Sequence, residues 1–472
     1  MKFGGTSLED ADAFERVLNV VRTQSAEHKL VVIVSAMSRV TDALLESVAR
    51  ATDGQVSEAA QLLQDHFERH LDVGRRHLSA EALATIEAVV KSAQRDVAGL
   101  LQSSAVRSRP LPALQDEIVS YGETLSATLL AAVLREAGLL ASYVDARRLI
   151  VTTDEHGRAE PLIEETGQQT RAMLEPLLEA SVIPVLGGFI GAAKNGSTTT
   201  LGRGGSDYTA ALVGAALAAR EIQIWTDVSG VLTADPRLIK GARTIPRMSY
   251  TEAAELAYFG AKVLHPKTIQ PAVEQFIPVR ICNSRAPHED GTLVGSETQT
   301  SPHTVKAIAH KTGVTTVQIT SARMLGAYGF LNAIFDIFNR HRTVVDVVTT
   351  SEVSVSLSLD DTSTLAAVID DLKPLGAVEV EQGRAIICVV GEGLRGTPGI
   401  AARIFSCLTD INVSLISQGA SSINLTFVVE EENLGEAVSR LHRAFFEGEL
   451  DAACAPDIFE PREMEHSAKR RA

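Results

Sequence analysis

The chain has 472 residues, a formal charge of −15 and 45% hydrophobic but only 4% aromatic residues, so it is long enough for about three domains of roughly 150 residues with aliphatic cores. That charge argues against nucleic acid or an anionic membrane as the main partner and leaves room for local basic sites that take small anions. Cys282, Cys388, Cys407 and Cys454 show neither metal nor redox spacing, the apolar runs 30–34 and 210–219 fall short of the ~20 residues of a membrane span, and no signal-peptide pattern opens the chain; the reading is a soluble, cytoplasmic protein.

Lys2-Phe3-Gly4-Gly5-Thr6-Ser7 comes first. Lys2 ends a strand, and Gly4-Gly5-Thr6 turns into a helix whose apolar face is Phe14, Val17, Leu18 and Val21, with Ser7 and Asp10 spaced like a capping box. Glycines followed by a helix start form a phosphate cradle, although the lysine precedes the glycines and the Walker pattern is absent. The aliphatic run 30–34 reads as a parallel strand buried on both faces, ending in the polar loop 35–42 that opens another helix. Residues 55–105 read as a polar-faced helical hairpin without a chemical signature, a lid or outer layer. In Ser120-Tyr121-Gly122-Glu123 a glycine interrupts a helical region beside a glutamate that would ordinarily be solvated. A strand at 141–145, a loop at 154–161 and an aliphatic strand at 182–185, running into Gly187-Gly188-Phe189, follow.

The chain is organised around Thr198-Thr199-Thr200-Leu201-Gly202-Arg203-Gly204-Gly205-Ser206-Asp207. Gly-Gly-Ser alone is as well explained as a turn before a buried helix. A fixed cation, Arg203, and an acid, Asp207, beside those glycines point instead to a second anion site at a helix start near Ser206. The strand 221–225 then ends in Thr226-Asp227, followed by Asp235-Pro236-Arg237; Lys262 falls at a helix–loop junction, and His265, before Pro266, reads as structural. Strands alternating with helices predict a doubly wound α/β sheet with its sites at the carboxyl ends of the strands. The polar stretch 291–303 reads as a loop and domain boundary.

Beyond it lies a repeat at an offset of 70 residues, in which Gly329, Ile334, Phe335, Ser351, Val353 and Val355 answer Gly399, Ile404, Phe405, Ser421, Ile423 and Leu425. Each copy reads strand, helix, strand, strand, helix, strand, and two such α+β modules make a second lobe.

The motifs Lys-Phe-Gly-Gly-Thr-Ser, Ser-Tyr-Gly-Glu, Thr-Leu-Gly-Arg-Gly-Gly-Ser-Asp, Trp-Thr-Asp-Val and Phe-Gly-Ala-Lys-Val-Leu-His-Pro stand in the order seen in aspartokinases, and the repeated lobe resembles their tandem ACT domains. The stretches around Gly329, Val345 and Thr350 are most similar to the lysine-sensitive monofunctional type. The resemblance implies an amino-acid-kinase catalytic domain over 1–296 and a first, nested ACT unit over 304–382, whose residues 304–312 pair with the second unit. It further implies that second ACT unit over 383–457 and a tail over 458–472.

The activity implied is transfer of the ATP γ-phosphoryl to the β-carboxylate of L-aspartate, the first step of lysine, threonine and methionine biosynthesis. Lys2 and Lys262 would form a cationic clamp held by Asp207. Gly4, Gly5, Ser7, Thr226, Asp227, Leu232, Asp235 and Arg237 would line the nucleotide. Arg203 would take a substrate carboxylate, Glu123 the α-ammonium, and Thr41 and Ser206 would add hydroxyl donors. Mg²⁺ would be held by ATP phosphates and water, with no metal ligand assigned to the protein. L-Lysine would bind at Met324, Gly329, Phe330, Leu331, Val345, Asp346, Thr350, Ser351 and Glu352, in a homodimer or tetramer joined through ACT units.

Three departures stand out from the family pattern: Leu232 where many relatives have tyrosine, His156-Gly157-Arg158 in place of Phe-Gly-Arg, and a first strand so short that the expected start lies upstream of Met1. Kinases of the same fold acting on glutamate, acetylglutamate or uridylate, and a catalytically dead amino-acid sensor, are the competing readings. The intact lysines, Asp207 and glycines weigh against the sensor.

Overall fold

The computed structural model describes residues 1–260, 264, 266–296 and 304–447, which form two compact units. The first comprises Met1–Leu232 with Arg243–Gln299; the second takes Thr233–Ala242 together with everything from Thr300. The segment Thr233–Ala242, expected in the catalytic domain, is thus part of the second unit. Its Ala234 and Ile239 are buried in the same cluster as Val389, Phe427 and Leu441.

In the first unit the chain runs β1 (Lys2–Phe3), α1 (Ala11–Ser25), β2 (Val32–Val34), α2 (Val40–Thr52), α3 (Val56–Leu62), α4 (Gln64–His77), α5 (Ala80–Ala105) and α6 (Leu111–Glu136). It continues with β3 (Ala141–Tyr143), β4 (Val151–Thr152), α7 (Ile163–Glu179), β5 (Ile183–Gly187), β6 (Ile190–Ala193), β7 (Thr198–Thr200), α8 (Gly205–Ala216) and β8 (Ile222–Thr226). The unit closes with β9 (Arg247–Ser249), α9 (Tyr250–Tyr258), α10 (Pro266–Glu274), β10 (Val279–Asn283) and β11 (Thr292–Gly295). The main sheet has the order β3-β5-β2-β1-β8-β10-β11-β9, parallel throughout except where β10 meets β11. Aliphatic strands buried on both faces dictate this arrangement, because only helical crossovers can cover both sides.

Four details depart from the sequence-based expectation. The cap of α1 is Asp10, whose carboxylate accepts from the Ala13 N–H at 2.8 Å, and Ser7 belongs to a preceding 3-10 turn. The region 55–105 is three helices, and their Phe67, Leu71, Ile86 and Val90 belong to the same core as Phe3 and Trp225 rather than to an outer layer. The glycine at 122 does not interrupt α6, which runs unbroken for 26 residues. The stretch 291–303 contains β11, a paired strand, at its start.

The second unit runs β12 (Ala307–Thr320), α11 (Phe330–Arg340), β13 (Val348–Thr350), β14 (Ser354–Leu359), α12 (Leu365–Leu372), β15 (Ala377–Val390), α13 (Ile400–Ser406), β16 (Val413–Gln418), β17 (Asn424–Glu430) and α14 (Leu434–His442). Its sheet order is β13-β14-β12-β15-β17-β16. The 70-residue repeat is visible in the long strands, since β12 and β15 are equivalent 14-residue segments, and in Gly329 and Gly399, both left-handed caps at helix starts with φ of 79° and 76°. Residues 307–311 of β12 pair with 386–390 of β15, while 314–320 lie between β14 and the first half of β15.

Candidate active site

The site assembles at the carboxyl ends of β1, β2, β5 and β8. Lys2 lies mid-sheet, in register with Ile33 on one side and Ile224 on the other. Its ammonium makes a 2.7 Å ion pair with Asp207 Oδ1, both side chains largely buried. Asp207 stands in the first turn of α8, where the helix dipole favours a negative charge. The glycines before that helix allow its entry: Gly204 is left-handed, with φ of 74°, a conformation that costs a non-glycine residue energy.

Two closely approaching backbones shape the rest. A Cβ on Gly188 would stand 2.7 Å from the Cα of Ser206, and one on Gly187 would stand 2.9 Å from the Cβ of Glu123. The end of β5 is therefore wedged between α6 and α8, which brings Glu123 and Ser206 to one place. Ser35, after β2, donates its hydroxyl to Ser206 Oγ at 3.0 Å. Glu123 is fully buried; one carboxyl interaction is with the Ala36 backbone, and its Oε2 has no partner among the described residues. Burial pushes its pKa up to about 8, against the weaker effect of the backbone hydrogen bonds. A buried acid with an unused oxygen is suited to receive a cationic group.

The first glycine turn lies against these loops. Gly4 donates its N–H to the Trp225 carbonyl at 3.0 Å, and Ser38 donates to the Gly5 carbonyl at 3.1 Å. A Cβ on Gly5 would come within 2.9 Å of the Ala36 carbonyl oxygen, so glycine here lets the turn after β1 pack against the loop after β2. Ser7 is buried, its hydroxyl 2.8 Å from that of Ser284, so it ties this turn to the end of β10. Thr41 is in the first turn of α2. Thr226, at the end of β8, donates to Asp227 Oδ1 at 3.1 Å. Leu232 bridges to Thr244.

Arg203 is exposed and, among the described residues, its guanidinium has no ion-pair partner, which leaves it available for a ligand carboxylate. Asp235 and Arg237 are carried by the second unit and engage each other, Arg237 Nε lying 3.0 Å from both carboxylate oxygens of Asp235. That contact holds Asp235 below the usual carboxylate range. Lys262 and His265 lie outside the described residues.

One residue of this site has no counterpart in the motif reading. Arg69 of α4 donates to the carbonyls of Ser38 at 3.0 Å and of Glu9 at 2.6 Å, fastening the loops after β1 and β2 to each other. An arginine on an otherwise unremarked helix carries no local signal of this; only the packing of α4 on those loops reveals it.

In the second unit, Gly329 caps α11, Phe330 and Leu331 open it, and Met324 ends the short turn before it. Thr350, Ser351 and Glu352 are exposed at the β13–β14 turn, whereas Val345 is half-buried. Asp346, expected in the lysine site, has a buried side chain that is already engaged: Lys311 of β12 reaches it at 2.9 Å and Asp360 at 2.7 Å. Desolvation lowers the Lys311 pKa, but these two acids outweigh it and the net shift is upward.

The sequence profile of the amino acid kinase family matches residues 1–283, and an ACT domain profile matches residues 387–445. Sheet, glycine cradles and the Lys2–Asp207 pair define an amino acid kinase with an attached ACT domain. The chain is 38% identical to lysine-sensitive aspartokinase 3 of Escherichia coli K12 over 454 residues, covering 94% of this chain and 98% of that protein. It matches the E. coli aspartokinase III crystal structure with aspartate and ADP, an R-state, at a TM-score of 0.79 and 38% identity, over 94% of this chain and 99% of that one. The T-state structure of the same enzyme with lysine and aspartate matches at a TM-score of 0.78 and 38% identity, over 94% and 98% of the two chains. The chain belongs to the aspartokinase family.

Proposed function

We propose that the site transfers the γ-phosphoryl group of ATP to the β-carboxylate of L-aspartate, giving 4-phospho-L-aspartate and ADP. The observation that carries this reading is the Lys2–Asp207 pair on the same strand ends as a buried, half-satisfied Glu123, with Arg203 exposed and without an ion-pair partner among the described residues. The acceptor carboxylate is ionised at pH 7, so no general base is needed: the phosphorus–oxygen bond to ADP breaks as one to the carboxylate oxygen forms. The chemical task is to bring two anions together and neutralise charge on the group in flight. Lys2, held by Asp207, supplies part of that charge, and Lys262 is assigned the other part.

Glu123 receives the α-ammonium, Arg203 a carboxylate by paired hydrogen bonds, and Thr41 and Ser206 add hydroxyls. The turn at Gly4 and Gly5, fixed by Ser7, is assigned to the phosphates with the Gly5 N–H as donor, since the Gly4 N–H is already given to the Trp225 carbonyl. Thr226, Asp227 and Leu232 are assigned to the nucleotide; Asp235 and Arg237, expected there as well, belong to the second unit and engage each other. Mg²⁺ enters with ATP, bound mainly by phosphates and water, and neutralises phosphate charge.

The same proposal assigns L-lysine as feedback inhibitor at the first repeat of the second unit. The E. coli relative was crystallised with lysine in a T-state, and Glu352, exposed here, makes no ion pair among the described residues. Apolar side chains left exposed on this unit, including Leu331, Phe335, Val348 and Val353, suit a homodimer, or a tetramer built from it, joined through these faces. The cytoplasm, a reducing compartment in which a buried thiol such as that of Cys282 persists, is the assigned compartment. ADP release with L-aspartate, L-glutamate and N-acetyl-L-glutamate in parallel tests the activity: aspartate alone should support it, and an aspartate-independent rate would overturn the reading.

A further inference from the structure

Asp116, in the second turn of α6, is almost completely buried, with a side-chain exposure of 2%. A carboxylate in that position is costly unless hydrogen bonds replace its water. Three donors do so. His156 Nδ1 lies 3.0 Å from Oδ2, the Gly157 N–H lies 2.9 Å from the same oxygen, and the Thr200 hydroxyl donates to Oδ1 at 2.6 Å.

These donors come from two other segments. His156 and Gly157 belong to the turn between β4 and α7, and Thr200 ends β7, three residues before Arg203. The Ala159 N–H donates to the Thr200 carbonyl at 2.9 Å, and a Cβ on Gly202 would lie 3.5 Å from the Gly157 carbonyl oxygen. The turn is therefore seated directly against the glycine that precedes Arg203. Glu123 stands about two helical turns beyond Asp116 on α6. One carboxylate thus joins the helix that bears Glu123 to the strand that delivers Arg203, with the His156 turn clamped between them.

We propose that Asp116, with His156 as its side-chain donor, is a positioning residue of the aspartate site: it sets the spacing of Arg203 and Glu123, and through it the affinity for the amino-acid substrate. Apolar packing could hold these segments together equally well; a carboxylate with three directed donors fixes their register. This also gives a role to His156, the residue that departs from the Phe-Gly-Arg pattern. The inference rests on the reading of Arg203 and Glu123 as substrate ligands.

Steady-state kinetics on the full chain test it. Asp116→Asn places an amide N–H₂ against donors, and should raise the aspartate KM about tenfold while kcat stays within about threefold and the ATP KM is unchanged. His156→Phe keeps a ring but removes the donor, and should raise the aspartate KM about threefold; His156→Asn, which keeps an N–H near the Nδ1 position, should restore it to within about twofold. Arg203→Ala, run in parallel, separates the two readings. If Arg203→Ala leaves the aspartate KM unchanged, the substrate site is misplaced and this inference falls with it. If Arg203→Ala raises it while Asp116→Asn and His156→Phe do not, this inference alone is wrong. Equal rises in the aspartate and ATP KM with a lowered Tm would mark Asp116 as structural only. Should Asp116→Asn fail to fold, the Phe and Asn variants at His156 decide the matter by themselves.

Discussion

Glu123 carries the pH behaviour of the free site. With a pKa of about 8 it is mostly protonated at neutral pH until a cation arrives, so aspartate binding in the proposed mode would expel its proton. If Glu123 takes the α-ammonium, the aspartate KM should therefore fall by about fiftyfold between pH 6 and pH 8, most steeply below the shifted value, where each unit is worth about 1.4 kcal/mol. Stability moves the other way. Between the unfolded carboxyl value of about 4.3 and the folded value, the native form binds one more proton than the unfolded chain, so stability falls as pH rises through that window and levels off above it. Glu123→Gln removes this penalty and should melt above the wild type at pH 8 without aspartate, while its aspartate KM rises at least about tenfold. A melt no higher than wild type at that pH would show the carboxyl to be unstrained when ionised. The role proposed for Lys2 is different, a charge that would matter most as the phosphoryl group moves. Lys2→Ala should lower kcat by about a hundredfold or more with a smaller change in the aspartate KM; an unaltered kcat would remove Lys2 from the phosphoryl clamp.

At the scale of elements, the glycine in α6 shows how tertiary contact overrides propensity. A glycine inside a helix costs up to about 1 kcal/mol relative to alanine, which is why Gly122 reads locally as an interruption. The helix runs through it because the loop after β2 comes so close that a Cβ would stand 2.9 Å from the Cβ of Ala36 and 3.4 Å from Val40 Cγ1. Gly122→Ala, stabilising on an exposed helix, should here destabilise by about 1–3 kcal/mol and slow the enzyme by displacing residues 35–41. Urea melts and kcat measure the two effects, and a stabilised variant would mean the loop yields freely. The capping of α1 teaches the converse. Ser7 and Asp10 are both competent caps, and what decides between them is that Ser7 is drawn into the core by Ser284, 277 positions away.

At the scale of the molecule, two copies of one module have diverged in charge. At the 70-residue offset Asp346 becomes Ile416 and Glu352 becomes Ser422, so the acids are confined to the first copy. Glu352→Ala should raise the lysine concentration for half-inhibition by about tenfold with kcat within about twofold, and Ser422→Ala should leave inhibition untouched. Threonine, lacking a side-chain cation, should inhibit poorly; inhibition by threonine at lower concentration than lysine would overturn the assignment. Because Asp346 is already paired with Lys311, Asp346→Ala is expected to do more than remove a ligand: it takes one of its acids from a half-buried ammonium. It should weaken lysine inhibition and lower the Tm together, whereas Glu352→Ala should leave the Tm within about 1 °C. Phe335→Asp should lower the sedimentation coefficient and the lysine sensitivity in step if the exposed face of α11 joins protomers; a dimer of undiminished stability would place that interface elsewhere.

The amino-acid sequence by itself determined the features that depend on neighbours along the chain. The glycine turns after β1 and before α8, the two-faced burial of 30–34 and the offset of the repeat are all of this kind, because backbone conformation and side-chain period are written within a few residues. It also singled out Lys2, Arg203 and Asp207, beside the glycine turns, as candidates for chemistry, whereas Glu123 became one only through the family resemblance. Only the tertiary structure decided what each acid meets. Glu123 is left with an unused oxygen, Asp346 is neutralised by a lysine 35 positions earlier, and Asp116 gathers donors from 40 and 84 positions away. Charge, burial and hydrogen bonding are set by whatever the fold brings within a few ångströms, and in a doubly wound sheet those neighbours come from strands and helices far apart in the chain.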